Sequence, residues 1–249
     1  MAREQGRRRR RILLGVVCCA ALVGSGLALL HSSVLGARNV EVSGSAHAPY
    51  ATVVKVAGLE GAPPLVDLSA GRIASRVERL PWVEHASVAL SWPSTVRTRL
   101  TDRVAVAVVS AGAGRVAVVD PTGRVLEMVT TRPSGLPLIV TGRSPPAPGG
   151  LVGEPGAVLA KAAATLPESM VPEVTDLRYA SKEIVADLSN GLVALLGGPS
   201  LLRDKFVALA TVLARSNLTG IGTIDLRVPG APVLIRKSAS PIVAQKVSG

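Results

Sequence analysis

Five consecutive arginines, Arg7, Arg8, Arg9, Arg10 and Arg11, run directly into an uncharged apolar stretch from Ile12 to Leu30. As a helix those nineteen residues cover roughly 28 Å, close to the ~30 Å hydrocarbon core of a bilayer. Ten of them are Ile, Leu or Val, which favours insertion by about 3–6 kcal/mol. Gly15, Gly24, Ser25 and Gly26 subtract from that gain. Six arginines precede the stretch and only Arg38 follows closely, so the positive-inside bias predicts a cytoplasmic N-terminus with the rest of the chain exported. A cleaved signal peptide has a shorter apolar region, about 7–15 residues, and Gly26-Leu27-Ala28 is a poor cleavage site. Val17 before Cys18 is wrong for a lipoprotein signal. The reading is an uncleaved anchor.

That anchor changes what the charge means. The formal charge is +11, but the six arginines before Ile12, set against Glu4, supply +5 of it. Nucleic-acid binders cluster basic residues with stacking aromatics. Here Tyr50, Trp82, Trp92, Tyr179 and Phe206 are scattered, so the basic balance reports topology and no nucleic-acid partner is expected. Both cysteines, Cys18 and Cys19, lie inside the apolar stretch, which leaves the exported part without a disulfide or thiolate metal ligand. His31, His47 and His85 have no ligand spacing.

Beyond a linker at 31–36, residues 38–44 alternate apolar and polar and end in Ser43-Gly44, which reads as a strand. Pro49 opens a helix that stops at Gly58. Asp67 or Ser69 caps a second helix with Ile73, Val77 and Leu80 on its apolar face, ended by Pro81. Val83–Leu90 is a second strand, broken at Trp92-Pro93, and Trp82 packs the junction between helix and strand. Val96, Thr98 and Leu100 alternate with Arg97 and Arg99 in a third strand with one buried face. Strand, helix, helix, strand, strand can fold as a small sheet with helices on one face.

A second β-rich region follows. Val116–Val119 is a strand, Pro121-Thr122-Gly123 a turn, 133–156 mostly loop and Ala157–Leu166 a helix. Ile184, Ala186 and Leu188 face Leu192, Ala194 and Leu196 across Asn190-Gly191, the dipeptide of tight hairpins. Leu201–Ala214 is an amphipathic helix with Leu202, Phe206, Leu209 and Leu213 inward. Strands Ile224–Val228 and Val233–Ile235 close the region, and 237–249 reads as a frayed tail.

Chemistry is harder to find. Gly112-Ala113-Gly114-Arg115-Val116-Ala117 fits a dinucleotide fingerprint, yet a Val-rich segment ending at Pro121 cannot open the helix that would hold pyrophosphate, so it reads as a hairpin connection. No nucleophile is spaced to a base, and no phosphate loop or zinc-protease motif occurs. The expectation is a non-enzyme without cofactor, metal or small-molecule substrate.

The matching stretches are Val40-Glu41-Val42-Ser43-Gly44, Leu80-Pro81-Trp82-Val83 with Ala86 and Val88, Trp92-Pro93-Ser94-Thr95-Val96 and Val119-Asp120-Pro121-Thr122-Gly123. Leu136-Pro137 with Gly142, Leu196-Gly197 with Lys205-Phe206, and Ile224-Asp225-Leu226-Arg227 complete them. In order and spacing the chain resembles the FtsQ/DivIB bacterial cell-division proteins. That resemblance implies an α+β chain: cytoplasmic tail 1–11, transmembrane helix 12–30, linker 31–36, β-α-α-β-β POTRA domain 37–106, mixed-sheet β domain with flanking helices 107–236, and disordered tail 237–249. The family's Glu-Arg-x-Pro-Val-Ala is replaced by Asp102-Arg103-Val104-Ala105-Val106-Ala107, and losing the proline predicts a more continuous strand there.

The resemblance also implies a divisome scaffold in the cell membrane and at the division septum, binding FtsB/FtsL-type single-pass partners and other divisome components. A terminal edge strand has unpaired N–H and C=O groups for a partner strand. By position in the family pattern, Arg227 is the ion-pairing group, and Val228, Pro229, Gly230, Ala231, Val233, Leu234 and Ile235 form edge and pocket. An anchored POTRA protein for polypeptide transport or assembly is the alternative.

Overall fold

The computed structural model describes residues 14–26, 35–215 and 217–237. Arg7–Arg11 and nearly all of the C-terminal tail lie outside them. Residues 14–26 are helical and exposed throughout, with Leu14, Val16, Val17, Leu22 and Val23 all bare. Among the described residues no helix is long and apolar enough to cross a membrane; the predicted span is described only over 14–26. Beyond it the chain divides into two compact units at Asp102/Arg103.

The first unit is a three-stranded sheet in the order β1-β3-β2, with β1 Asn39–Ser43, β2 Val83–Ser91 and β3 Thr95–Asp102. Strand β3 runs parallel to β1 and antiparallel to β2. Helices α1, Tyr50–Ala57, and α2, Ala70–Val77, lie between β1 and β2 in sequence. Gly58 ends α1 at φ 71°, the left-handed conformation that glycine adopts without a Cβ penalty. Val53, Ala57, Ile73 and Val77 from the helices share one core with Val83, Ala86, Val96 and Leu100. Arg97 and Arg99 point outward, as their alternation requires. Trp82 stacks on His47 with ring centroids 3.8 Å apart, and His47 Nδ1 lies 3.0 Å from Asp102 Oδ2.

The second unit is a nine-stranded mixed sheet in the order β12-β11-β10-β9-β8-β7-β4-β5-β6. Strands β4 Ala107–Gly112, β5 Arg115–Val119 and β6 Val125–Val129 form a meander, with the Gly112–Gly114 segment as the hairpin turn. Two parallel crossovers follow, and in each a helix carries the chain back to start a parallel neighbour. Strand β7, Leu138–Val140, leads through α3, Gly156–Ala164, to β8, Val174–Ala180. Strand β10, Val193–Gly197, leads through α4, Leu202–Arg215, to β11, Ile221–Asp225. Strand β9, Glu183–Leu188, pairs with β10 across Asn190-Gly191, Ala186 opposite Ala194. Leu159 and Ala162 of α3 and Phe206 and Leu209 of α4 join one core with the inner face of the sheet.

One expectation needs correction. Residues 103–106 form no strand despite the missing proline. Their partners explain the break: Arg103 Nη1 meets buried Asp120 Oδ2 at 2.8 Å, and Val106 N donates to Val119 O at 2.9 Å, so β5 and its turn hold the segment. The 133–156 stretch is mostly loop, as expected, and within it the unassigned β7 joins β4 to β8. Strand β7 is three residues long, too short to show a period.

Candidate functional site

At one end of the nine-stranded sheet, α4 sets the geometry. Leu202, Phe206 and Leu209 bury one face of α4, and β11 then starts parallel to β10 with Ile224 fully buried. Leu226 continues into the core and fixes where the strand leaves the sheet. The chain turns at 228–231, closed by Ala231 N donating to Val228 O at 3.1 Å, and returns as β12, Val233–Arg236.

Among the described residues strand β12 pairs with β11 alone: Val233 opposite Asp225, Leu234 opposite Ile224, Ile235 opposite Thr223. Its other edge meets no strand among the described residues, which leaves it the N–H and C=O groups of a terminal strand. All four of its residues are exposed, with Val233 at 54%, Leu234 at 38% and Ile235 at 43%. Val228, in the turn, is 62% exposed. Pro229 and Gly230 also sit in the turn, Ala231 follows them, and Pro232 precedes the strand, so neither proline interrupts the β12 ladder. The eight predicted site residues therefore form one contiguous corner of the sheet.

Arg227 is committed within the chain. Its backbone N–H and Nε both donate to Asp225, its Nη2 pairs with the same carboxylate, and its Nη1 lies 3.7 Å from Glu183. Hydrogen bonding from Arg227 holds the Asp225 carboxyl below the usual range, outweighing its desolvation. The Arg227 stem also lies over Gly197, where a Cβ would come within 2.8 Å of Cγ. Arg227 thus buttresses the corner beside β12.

Two positioning groups were not assigned from the sequence. Lys205 is 3% exposed, and its Nζ donates to Gly198 O at 2.9 Å, tying α4 to the loop after β10. Burial lowers its pKa. Asp120 accepts from Thr122 N at 2.8 Å, Thr122 Oγ1 at 2.6 Å and Arg124 N at 2.9 Å, in addition to Arg103. Both residues fall in the quoted motifs, which was the available signal. Among the described residues no group of three or more His, Cys, Asp or Glu could hold a metal ion.

A β-α-α-β-β module followed by a mixed sheet that ends in an exposed edge strand defines the class: a POTRA-bearing α+β protein. The family model described as "POTRA domain, FtsQ-type" matches residues 35–103, and that described as "Cell division protein FtsQ/DivIB, C-terminal" matches 107–227. The cell division protein FtsQ of Streptomyces bingchenggensis is 32% identical over 236 residues, covering 91% of this chain and 86% of the relative. FtsQ of Mycolicibacterium smegmatis is 36% identical over 100 residues, covering 38% of this chain and 30% of the relative. The extracytoplasmic domain of DivIB from Geobacillus stearothermophilus aligns with a TM-score of 0.34 at 20% identity, over 47% of this chain and 98% of that one. The chain belongs to the FtsQ/DivIB family of bacterial cell-division proteins.

Proposed function

We propose that this chain is a non-enzymatic, single-pass scaffold of the divisome. Residues 12–30 anchor it in the cell membrane, Arg7–Arg11 hold the N-terminus in the cytoplasm, and residues 37–106 and 107–236 work outside at the septum. It docks FtsB/FtsL-type partners by adding their strand to β12, with Val228–Ala231 as a side pocket and Arg227 on the rim. The observation that carries this reading is the bare β12 edge, where apolar side chains stand beside unpaired backbone groups. Membership of the cell-division family supports the same assignment.

The native cysteines, Cys18 and Cys19, lie far along the chain from β12, so single cysteines there give a clean test. Val233→Cys, Leu234→Cys and Ile235→Cys are each oxidised against a cysteine scan of the partner's extracytoplasmic segment. Strand addition predicts cross-links recurring at every second partner position, because side chains alternate across a sheet. Cross-links at helical spacing, or none at β12, refute docking at this edge.

A further inference from the structure

A second open feature lies in the first unit, on α2. A groove of about 620 Å³ is lined by Gly58, Pro63, Asp67, Arg72, Arg76 and Arg79 among others. Three arginines and one carboxylate are among its lining residues. Arg72 and Arg76 stand four residues apart on α2, the spacing that brings side chains to one helix face, and Arg79 follows in the turn after it. Arg72 and Arg76 have no carboxylate partner among the described residues. Arg76 is preset: its Nε donates to Arg72 O at 3.3 Å, and an Nη lies over Gly58, only 2.7 Å from where a Cβ would stand.

The entry of the chain into this unit decides what the groove meets. Ala37 N donates to the carbonyl of Pro63, a wall of the groove, at 2.9 Å, and Gly36 bridges to Pro64. Counting from Leu30, Ala37 is seven residues on, a reach of at most roughly 25 Å. The groove therefore sits beside the point where the anchor hands over to the folded unit. Guanidinium forks suit phosphate oxygens in two-point contact. Resting on the anchor assigned above, we propose that this groove seats the phosphate of an anionic membrane-lipid headgroup, holding the first unit against the bilayer surface.

The full chain is reconstituted in vesicles of phosphatidylcholine, with or without phosphatidylglycerol, and amide exchange is followed over residues 67–79. Phosphatidylglycerol slows exchange there and phosphatidylcholine does not. Removing one surface guanidinium weakens such attraction about five-fold, so at a fixed phosphatidylglycerol fraction Arg72→Gln lowers the equilibrium constant for protection by about that factor, and Arg72→Gln with Arg76→Gln by about 25-fold. Arg72 is exposed, so its variant retains the fold, checked by unchanged exchange in β2 and β3. Equal exchange in both vesicles overturns the proposal. So does protection on neutral vesicles by inorganic phosphate alone, which marks a free-phosphate site, or by polyglutamate where phosphatidylglycerol has no effect, which marks an acidic protein segment. Failure to float with neutral vesicles removes the anchor itself, a result separate from lipid-independent exchange in a chain that floats.

Discussion

Replacing Ile235 by lysine tests the β12 edge most directly. In the four-residue strand, alternate residues turn both N–H and C=O outward, so a partner strand can form about four bonds, together worth about 2–6 kcal/mol. Side chains add to that. Fully burying an aliphatic side chain is worth about 1.5–3 kcal/mol, and Ile235 still has 43% of its surface to bury, which leaves about 1 kcal/mol for a partner to gain. Ile235→Lys forfeits that gain and adds a cation at the edge, the device by which sheets discourage strand addition. The expected loss is about 1–2 kcal/mol, or roughly 5–30-fold in Kd. Folding stability falls as well, because more than half of the Ile235 surface is already covered in the free chain. The assay is calorimetric titration of the reconstituted full chain with the extracytoplasmic segment of an FtsB/FtsL-type partner. Glu127→Lys in β6, the opposite edge of the sheet, serves as the control. Unchanged affinity for Ile235→Lys with weakened binding for Glu127→Lys would refute docking at β12.

Other perturbations address the fold that presents this edge. Asp120→Ala leaves Arg103 facing a vacated buried site and removes the acceptor of the Thr122 and Arg124 N–H groups, so chemical unfolding should show a loss of about 3–5 kcal/mol in the second unit. Gly44 has φ 91°, and a Cβ there would collide with the Leu100 carbonyl, so Gly44→Ala should lower the melting temperature of the first unit by more than an ordinary surface change. Asp176 faces Asp187 across β8 and β9, and desolvation, then hydrogen bonding and repulsion from Asp187, raise its pKa to about 6 despite Arg178 and Arg132. A raised carboxyl stabilises the fold fully below its unfolded pKa, here 3.8, and loses that contribution as pH climbs through about 6. Asp187, held low chiefly by its hydrogen bond from Arg178, contributes in the opposite sense and loses stability as pH falls. Asp176→Asn should therefore remove the loss of stability between about pH 4 and 6 seen in urea titrations and leave the acid-side loss intact.

Much of this architecture follows from local rules. The first unit was legible because each element carries its own period and stop signal: Val96, Thr98 and Leu100 point inward, and Gly58 can end α1 where a Cβ would be strained. Asn190-Gly191 likewise announced the β9–β10 hairpin, and Leu202, Phe206 and Leu209 announced the buried face of α4. Strands β6, β7 and β8 were not assigned. Their pairing is set by distant chain, β7 lying between β4 and β8, and a three-residue apolar run has no period to recognise.

The site divides in the same way. Position in the FtsQ/DivIB pattern singled out Arg227 to Ala231 and Val233 to Ile235, but that these residues form one corner of a nine-stranded sheet depends on the α4 crossover. Tertiary structure also turned Arg227 toward Asp225 and Glu183 and drew residues 103–106 onto the β5 end of the sheet. Arg72, Arg76 and Arg79 read in sequence as outward faces of a helix, and only the tertiary structure sets them with Pro63 and Asp67 around one groove. Periodicity and turn chemistry act between near neighbours and can be read from the chain; which edge stays open, and which charges find partners, is decided by contacts between residues far apart in sequence.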